Sequence, residues 1–424
     1  MGGDGGKDKK EVTSYLPRVQ SFLTSDGTYD FSRDAAGVSF LKVAAYNYSV
    51  PYITFFINAA PSYIADNDQA CGWSMTSAKI PAFAEYINTV VSFWIEANIN
   101  ITYISPMNEP DNSRADCGQE GMAVAPPLRS SVFQTIRGQL NEGNASHVQI
   151  TGDETSQPIN QGILENPLWL PSAAQYLSNV AVHNYDYPYD SAVATYYTQV
   201  KILTGKNIVP IKLTETCCST NNGSGPGVFG SQNDPTMVNA LIVARYVWQF
   251  LTIANAESFD WWTAVADLPC SPTIDGAQCA TALNATSGYN SGLIYIDPNY
   301  NQTQDYTLYL TKRAFAVKHF SYFIRPAAVR YDIEASSLPS GVVALATQGP
   351  ATVSGSPLWN TLFINSNTSP QTIEIQLPGN GEIQGITQTT EDVDFGSVTP
   401  LPAVNNRTVL LELPAQSMWS MQFI

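Results

Sequence analysis

The stretch that decides the fold is ITYISPMNEP, residues 101–110, where an apolar, β-branched run ends abruptly in Asn108, Glu109 and Pro110. Such a run predicts a buried strand, and its polar end predicts side chains carried to the rim of a sheet. A second run, VPIKLTETCC at 209–218, ends in the same way with Glu215. Two glutamates at the ends of two buried strands indicate a pair of candidate catalytic carboxylates.

Length and composition bound the class of protein. The chain has 424 residues, 44% of them hydrophobic, which is enough for one large domain and a smaller one. Its net charge is −16 with only 13% charged residues, so we expect no binding to nucleic acid or to anionic membranes. The apolar stretches are strand-length or carry polar residues, so no membrane span is predicted. The 8 Trp and 22 Tyr suit sugar faces as well as cores, and serve only as support.

Sequons and cysteines favour secretion. Asn-x-Ser/Thr sequons and six cysteines, in a chain with few lysines, are typical of a eukaryotic secretory pathway. The opening MGGDGGKDKK has no hydrophobic signal region, so we expect that the signal was removed or that the natural chain begins further upstream. The sequons are at Asn47, Asn100, Asn144, Asn222, Asn284, Asn301, Asn367 and Asn406.

The cysteines allow several disulfide pairings. Cys270 and Cys279 bracket a short polar loop and are the preferred pair. Cys71 with Cys117, in two long loops, is a second candidate pair. The adjacent Cys217 and Cys218 stay unassigned.

Short apolar runs alternate with longer amphipathic ones over most of the chain. This alternation predicts parallel strands joined by crossover helices, which fits both a doubly wound open sheet and a closed (β/α)8 TIM barrel. The predicted strands are Tyr52–Asn58, Ile101–Met107, Val148–Gly152, Asn179–His183, Val209–Thr214 and Ser258–Ala264. The predicted helices are Ser32–Tyr46, Ala78–Ala97, Leu128–Glu142, Pro167–Leu177, Asp190–Leu203, Pro235–Ile253 and Tyr306–Phe323.

Polar residues after almost every predicted strand favour the barrel. Functional groups drawn from the carboxyl ends of many strands are typical of a barrel. An open sheet concentrates them at one switch point, usually with a Gly-rich turn, and no such motif follows a strand here. The residues are Asn58, Asn108 with Glu109, Asp153 with Glu154, His183 with Tyr185, Glu215, and Trp261 with Trp262. We interpret Asp153 and Glu154 as residues that fix a loop or support the site from behind.

The pattern changes at Ile324. Seven short strand candidates separated by turn-rich segments predict an antiparallel β-sandwich of roughly 100 residues. We therefore expect a catalytic barrel over residues 1–323 and a side domain over residues 324–424. Only six of the eight strands of a barrel are found, so we expect that the first two βα units are absent from this sequence. The candidates are Ala327–Ile333, Gly341–Thr347, Leu358–Asn365, Gln371–Leu377, Glu382–Thr389, Thr408–Leu413 and Met418–Ile424.

The two glutamates suit the cleavage of a glycosidic bond. Cleavage with retention needs two carboxyl groups about 5–5.5 Å apart, one an acid/base and the other an ionised nucleophile. Strands four and seven of a barrel lie across its mouth from each other and can supply such a pair. If strands one and two are missing, Glu109 ends strand four and Glu215 ends strand seven.

Several motifs, taken in order, give the chain a resemblance to a known family. They resemble glycoside hydrolase family 30, in the clan A retaining glycosidases, and especially its fungal endo-acting members. The β-sandwich tail fits the side domain of that family. The motifs are SFLTSDGTYDFSRD (21–34), FFINAAPSYI (55–64), SPMNEPDN (105–112), CGQEGMAV (117–124), HNYDY (183–187), KLTETCC (212–218) and SFDWW (258–262).

This resemblance implies a role for each candidate residue. Glu109 is expected to be the general acid/base and Glu215 the nucleophile. Asn108 is expected to hydrogen-bond the sugar 2-hydroxyl, and Tyr185 to hydrogen-bond Glu215 and help keep it ionised. The other expected substrate-binding residues are Asn58, His183, Trp261 and Trp262. An arginine that clan members usually carry near the end of strand two is not in this sequence, which leaves the activity of the chain as written open.

Structural interpretations of the same residues stay open. Glu109 can cap a turn, Glu215 can be a structural hydrogen-bond partner, and His183 can be a core histidine. Trp261 and Trp262 alternate faces if both lie on a strand, so one of them is expected to pack outward. Zinc binding is disfavoured by only three histidines and no C-x-x-C pair, and a Ser-His-Asp triad by the lack of a G-x-S-x-G elbow.

Together these observations predict a secreted, retaining endo-β-glycanase that acts on plant or fungal cell-wall polysaccharide. Xylan or glucuronoxylan is the first candidate substrate. We expect no metal, no cofactor and a monomer. Within the class, the alternatives are an endo-β-1,6-galactanase or a β-1,6-glucanase. From other classes, the alternatives are an inactive truncated remnant with at most weak carbohydrate binding, and a lectin or structural protein. A lectin explains the aromatic residues but not the two glutamates.

Overall fold

The computed structural model describes residues 1–3, 19–207, 209–218, 233–268, 276–282, 291–334, 338–353, 355–379 and 381–424. The chain divides into two compact units. The first comprises Met1–Asn184, Ala194–Thr214 and Asn255–Ser258. The second comprises Tyr185–Val193, Glu215–Ala254 and Phe259–Ile424. The domain boundary placed after residue 323 stays a prediction.

A six-stranded sheet organises the first unit, and its strands lie side by side in chain order. They are β1 (Thr54–Phe56), β2 (Tyr103–Ser105), β3 (Gln149–Thr155), β4 (Asn179–His183), β5 (Ile211–Glu215) and β6 (Ser258–Phe259). The pairs β1–β2, β2–β3 and β3–β4 are parallel. Every residue of β4 is buried, as expected for a parallel strand covered on both faces. The prediction of parallel strands with helical crossovers is confirmed.

The helices between these strands follow their sequence signals closely. They are α1 (Ala35–Lys42, continued by a π-helical turn over Val43–Asn47), α2 (Ile80–Glu96), α3 (Pro126–Glu142), α4 (Ile163–Ala173) and α5 (Asp190–Thr204). Prolines lie in the first turns of α2 and α3, where a missing N–H breaks no helical hydrogen bond. The predicted start of α4 at Pro167 is wrong, because Pro167 and Pro171 both lie inside that helix.

Two strand predictions need correction. The strand predicted over Ser258–Ala264 ends at Phe259, so Trp261 and Trp262 follow it instead of alternating along it. In contrast, β3 continues to Thr155, so Asp153 and Glu154 lie within the strand and not after it. The first error arises because aromatic residues favour strands, so the aromatic run predicted a longer one. The second arises because two adjacent carboxylates are more typical of a loop.

The described part of the second unit contains four further helices, a small sheet and the β-sandwich. The helices are α6 (Met237–Thr252), α7 (Gly276–Thr281), α8 (Tyr300–Thr303) and α9 (Lys312–Phe323). The small sheet pairs β7 (Val265–Asp267), β8 (Ile294–Ile296) and β9 (Tyr309–Leu310), and was not predicted. The helix predicted from Tyr306 begins only at Lys312, where the Thr311 side chain accepts the N–H of Ala314 as an N-cap.

The predicted sandwich strands are all present, with two further short ones. The strands are β10 (Val329–Tyr331), β11 (Val342–Val353), β12 (Ser356–Asn365), β13 (Gln371–Gln376), β14 (Ile383–Thr389), β15 (Gly396–Ser397), β16 (Val404–Asn405), β17 (Thr408–Leu413) and β18 (Ser417–Phe423). One sheet has the order β10-β11-β12-β18-β14-β15, and the other has the order β13-β17-β16. Their pairings are antiparallel.

The larger sandwich sheet is buried on both faces. Along β12, Phe363 packs with the core between the two sheets, whereas Leu362 and Ile364 pack with residues of α6 and α9. This alternation is the two-residue period of a strand. The last helix before the sandwich therefore shares a hydrophobic core with it.

Two disulfides are present among the described residues. Cys71 is bonded to Cys117, the second of the candidate pairings. Cys217 and Cys218, which could not be assigned from the sequence, are bonded to each other. Cys270 lies outside the described residues, so its pairing with Cys279 stays a prediction. Over the described part of the chain, no helix has the length and apolar character needed to cross a membrane.

Candidate active site

Glu109 follows the carboxyl end of β2 in a strained backbone conformation. Its φ is +44°, in the left-handed region that non-glycine residues seldom adopt, and its side chain is buried. Its N–H donates to the carbonyl oxygen of Glu154 at 3.2 Å, which ties the turn to β3. One carboxylate oxygen, Oε1, lies 3.3 Å from Nδ1 of His183, and the other, Oε2, contacts the guanidinium of Arg114. The turn therefore holds the Glu109 carboxylate between an imidazole and a guanidinium.

His183, the last residue of β4, lies between two carboxylates. Its ring is completely buried. Nδ1 faces Glu109, and Nε2 lies 3.4 Å from Oε2 of Glu154. We call Glu109, His183 and Glu154 the carboxylate–histidine chain.

Glu154 is anchored by hydroxyl groups from two neighbouring strands. Its φ is +68°, and only 1% of the residue is exposed. Ser105 at the end of β2 donates its hydroxyl to Oε1 at 2.5 Å, and Thr214 near the end of β5 donates to Oε2. These charge-assisted hydrogen bonds stabilise a buried carboxylate. The side chain is thereby held in one orientation behind His183.

Asp153, beside Glu154, belongs to a separate ion-pair network. Arg129 of α3 is fully buried, and its guanidinium lies 2.6 Å from Asp153 and 2.7 Å from Glu165 of α4. Burial raises the pKa of Asp153, and the Arg129 charge opposes that shift. This network fixes β3 to the helices on its outside. Arg129 already has two carboxylate partners in it.

Glu215, the last residue of β5, is placed in the second unit. The hydroxyl of Tyr185 donates to Glu215 Oε1 at 2.7 Å, as the sequence resemblance implied. The segment that follows is also held, because Tyr187 donates its hydroxyl to the carbonyl oxygen of Cys217 at 2.8 Å. The Cys217–Cys218 disulfide then closes the chain on itself. Glu215 thus lies at a strand end whose following segment is held by a hydrogen bond and a disulfide, and the phenol of Tyr185 is its hydrogen-bond donor.

The remaining expected site residues fall in both units. Asn108 and Asn58 lie in the first unit. Asn108 is buried, and its Oδ1 accepts no hydrogen bond from a described residue, whereas Asn58 is half-buried just beyond β1. Trp261 and Trp262 lie in the second unit. Trp261 donates its indole N–H to the carbonyl oxygen of Ser291 at 2.6 Å, and Trp262 is 37% exposed.

The sequence analysis missed three residues that contact Glu109 or Glu154. Arg114 lies in an irregular loop, where no periodicity marks a functional side chain. Ser105 and Thr214 are hydroxyl residues at strand ends, each beside a position already singled out. A search for hydroxyls at the ends of the strands next to Glu154 finds both.

Residues 4–166 match the family profile "O-Glycosyl hydrolase family 30". Over these residues the chain is similar to glycoside hydrolase family 30. A comparison with curated protein sequences found no significant match. The family 30 relationship supports a glycosidase.

Solved structures show the same fold at low sequence identity. A conserved exported protein from Bacteroides fragilis is 20% identical, with a TM-score of 0.76 over 99% of this chain and 86% of that one. The catalytic domain of a family 30 xylanase C from Talaromyces cellulolyticus is 18% identical, with a TM-score of 0.70 over 95% and 83%. An endo-β-1,6-glucanase is 14% identical, with a TM-score of 0.63 over 99% and 80%. These similarities show a TIM-barrel-like fold with a curled parallel sheet, and the antiparallel sheets of this chain are consistent with a C-terminal sandwich domain.

Proposed function

We propose that this family 30 relative is a retaining endo-β-glycanase, with Glu109 as the general acid/base and Glu215 as the nucleophile. The observation that carries the proposal is the difference between the surroundings of the two glutamates. Glu109 is buried between the imidazole of His183 and the guanidinium of Arg114, whereas Glu215 accepts a hydrogen bond from the phenol of Tyr185. Two carboxyl groups in different surroundings suit the two roles that retaining chemistry requires, a proton donor and an ionised nucleophile.

The reaction would proceed in two displacements. In the first, Glu215 attacks the anomeric carbon while Glu109 gives its proton to the departing oxygen, so that a glycosyl ester forms and the glycosidic bond breaks. In the second, Glu109 takes a proton from water, whose oxygen attacks the same carbon and releases Glu215. The buried Oδ1 of Asn108 supports a contact with a sugar hydroxyl, because that oxygen accepts no hydrogen bond from a described residue.

Xylan or glucuronoxylan is the substrate class we place first. A family 30 xylanase shares the fold over 95% of this chain, and the motif SPMNEPDN supports the same class. β-1,6-Glucan is the second candidate, because an endo-β-1,6-glucanase also shares the fold. β-1,6-Galactan, the substrate of the other alternative within the class, is the third polysaccharide to test. Trp262, 37% exposed, is the aromatic face that we expect to contact the sugar chain.

The experiment compares hydrolysis of the three polysaccharides by the parent chain and by Glu109→Gln and Glu215→Gln. Glu257→Gln is a matched control, because Glu257 accepts a hydrogen bond from Asn179 at the opposite end of β4. We expect both site variants to lose at least about 10³-fold in kcat on the polysaccharide that the parent cleaves, and the control to keep its activity. Proton NMR is expected to show the retained β-anomer first.

Two results contradict the proposal. Release of the inverted anomer excludes the retaining mechanism. No release from any of the three polysaccharides, together with a lost near-UV circular dichroism signal, favours the inactive remnant.

Secretion stays part of the proposal. The sequon asparagines Asn144, Asn301 and Asn406 are exposed, as glycan acceptors must be. When the chain is expressed in a eukaryotic host behind a secretion signal, we expect peptide mass spectrometry to find glycans at these positions. Unmodified peptides at all three contradict the glycoprotein assignment.

A further inference from the structure

Glu154 of the first unit is a buried carboxylate that forms no ion pair with a lysine or arginine of the described residues. It is as buried as the core residues around it, and its partners are two hydroxyls and the ring of His183. Arg129 of α3, which contacts the neighbouring Asp153, is already paired with that residue and with Glu165. A carboxylate buried without its own cation is costly unless a neighbouring proton compensates it.

His183 is the group that can hold that proton. Its Nε2 lies 3.4 Å from Oε2 of Glu154, which is an ion-pair distance and not a hydrogen bond, so an N–H at Nε2 places its positive end beside the carboxylate. Its Nδ1 then faces Oε1 of Glu109. The first proton of the carboxylate–histidine chain is the one on Nε2. Because Arg114 contacts Oε2 of Glu109, the second proton must lie on the Oε1 side, either on Glu109 itself or on Nδ1 of His183. Both placements leave Nε2 protonated and give the four groups, Arg114 included, a net charge of zero.

We propose that Glu154 is a positioning residue that fixes the Nε2–H of His183 and thereby keeps one proton in the Glu109–His183 pair. This inference rests on the proposed function, in which that proton is the one given to the departing oxygen. Glu154 does not touch the substrate in this scheme and acts through His183. The left-handed backbone of Glu154 and its carbonyl bond to the Glu109 N–H fix the distance between the two carboxylates.

The first test reads the proton directly and needs no substrate. Nitrogen-15 NMR of the imidazole rings is recorded on the full parent chain and on Glu154→Gln, with His147 and His319 assigned by single variants. In the parent chain we expect Nε2 of His183 to carry a slowly exchanging proton. In Glu154→Gln, whose amide is similar in shape but carries no charge, we expect the His183 nitrogen shifts to move away from those of the parent. A parent His183 protonated only at Nδ1, or unchanged shifts in Glu154→Gln, overturns the proposal.

The second test separates positioning from a general structural role. Aryl glycosides of one sugar with a series of leaving groups need progressively more acid assistance as the leaving group becomes more basic. For Glu154→Gln we expect kcat/KM to fall by about 10²-fold on the poorest leaving group and by less than about 3-fold on a dinitrophenyl leaving group. Glu257→Gln, the same chemical change at the far end of β4, is expected to leave the series unchanged.

The outcomes distinguish this inference from the proposed function. An equal loss across the leaving groups overturns the positioning role while the glycosidase assignment stands. If the parent chain cleaves none of the glycosides, the proposed function fails, and the NMR experiment still decides whether Glu154 sets the protonation of His183.

Discussion

The first unit and the sandwich-bearing second unit each bury one histidine completely, and surround it with opposite kinds of partner. In the first, His183 lies between the carboxylates of Glu109 and Glu154. In the second, His319 of α9 lies between two hydroxyls, 2.7 Å from Ser420 and 2.9 Å from Thr389. Ionised carboxylates only accept hydrogen bonds, whereas hydroxyls both donate and accept them, so the two rings have different proton requirements.

The difference shows how a buried histidine can be assigned to chemistry or to packing. Hydroxyl partners satisfy a neutral ring, and burial with the nearby charge of Lys318 lowers the pKa of His319 to about 3. Such a histidine is part of a core. Flanking carboxylates instead favour a shared proton, an arrangement that suits a proton donor. The comparison therefore separates His319, whose partners suit a neutral core histidine, from His183, for which we propose a role in the reaction.

Replacing His183 tests the comparison with the largest expected effect. In His183→Leu the two carboxylates lose the ring that joins them, so we expect kcat on polysaccharide to fall by about 10²–10⁴-fold. In His319→Leu we expect unchanged kcat and a loss of about 1–3 kcal/mol in the free energy of unfolding, because two hydroxyls are left without a partner. Near-UV circular dichroism checks that both variants fold. Full activity of His183→Leu would show that the ring only fills space.

The pH dependence of stability is the second test. His319 has a folded pKa of about 3 against an ordinary value of 6.5, so below pH 6.5 the unfolded chain binds a proton that the folded chain does not. Its contribution to stability is complete above the ordinary pKa and falls by about 1.4 kcal/mol per pH unit as the pH drops toward the folded value.

Urea unfolding of the parent and of His319→Gln at about pH 7.5 and about pH 5 measures this effect. We expect the difference in unfolding free energy between the two chains to shrink by about 2 kcal/mol at the lower pH, since Gln does not titrate. A difference that does not change with pH contradicts the assignment of a neutral, buried His319.

A pair of serine variants gives the smallest expected effect. Ser105→Ala removes a hydroxyl from a buried carboxylate, and Ser420→Ala removes one from a neutral ring. We expect a loss of about 1.5–3 kcal/mol for Ser105→Ala and about 0.5–1.5 kcal/mol for Ser420→Ala, because hydrogen bonds to charged groups are stronger. Equal losses in urea unfolding would contradict the expected difference between the two hydrogen bonds.

The strands with strong apolar runs could be predicted from the sequence. The predicted bounds of β4 and β17 agree with the structure, because their hydrophobic patterns stop sharply at polar or turn residues. The candidate carboxylates followed from the same signal, since a strand end carries its next side chains to the rim of the sheet. That signal is local, and it needs no knowledge of distant residues.

The rest of the carboxylate–histidine chain depends on contacts that no local pattern encodes. Glu154 was interpreted as a residue behind the site or in a loop because two adjacent carboxylates at the end of an apolar run read as a strand terminus, yet β3 continues through them. Arg114 reaches Glu109 from an irregular loop that also carries Cys117, bonded to Cys71. Tertiary contacts at large sequence separation decide both positions.

Covalent trapping tests the central claim, that two glutamates divide the roles of acid and nucleophile, most directly. A 2-deoxy-2-fluoro glycoside with a dinitrophenyl leaving group, built on the sugar that the chain cleaves, is incubated with the full chain. The protein is then digested, and the labelled peptide is sequenced by mass spectrometry. The account predicts one glycosyl ester, on Glu215, and its absence from Glu215→Gln. A label on any other residue, with Glu215 unmodified, contradicts it.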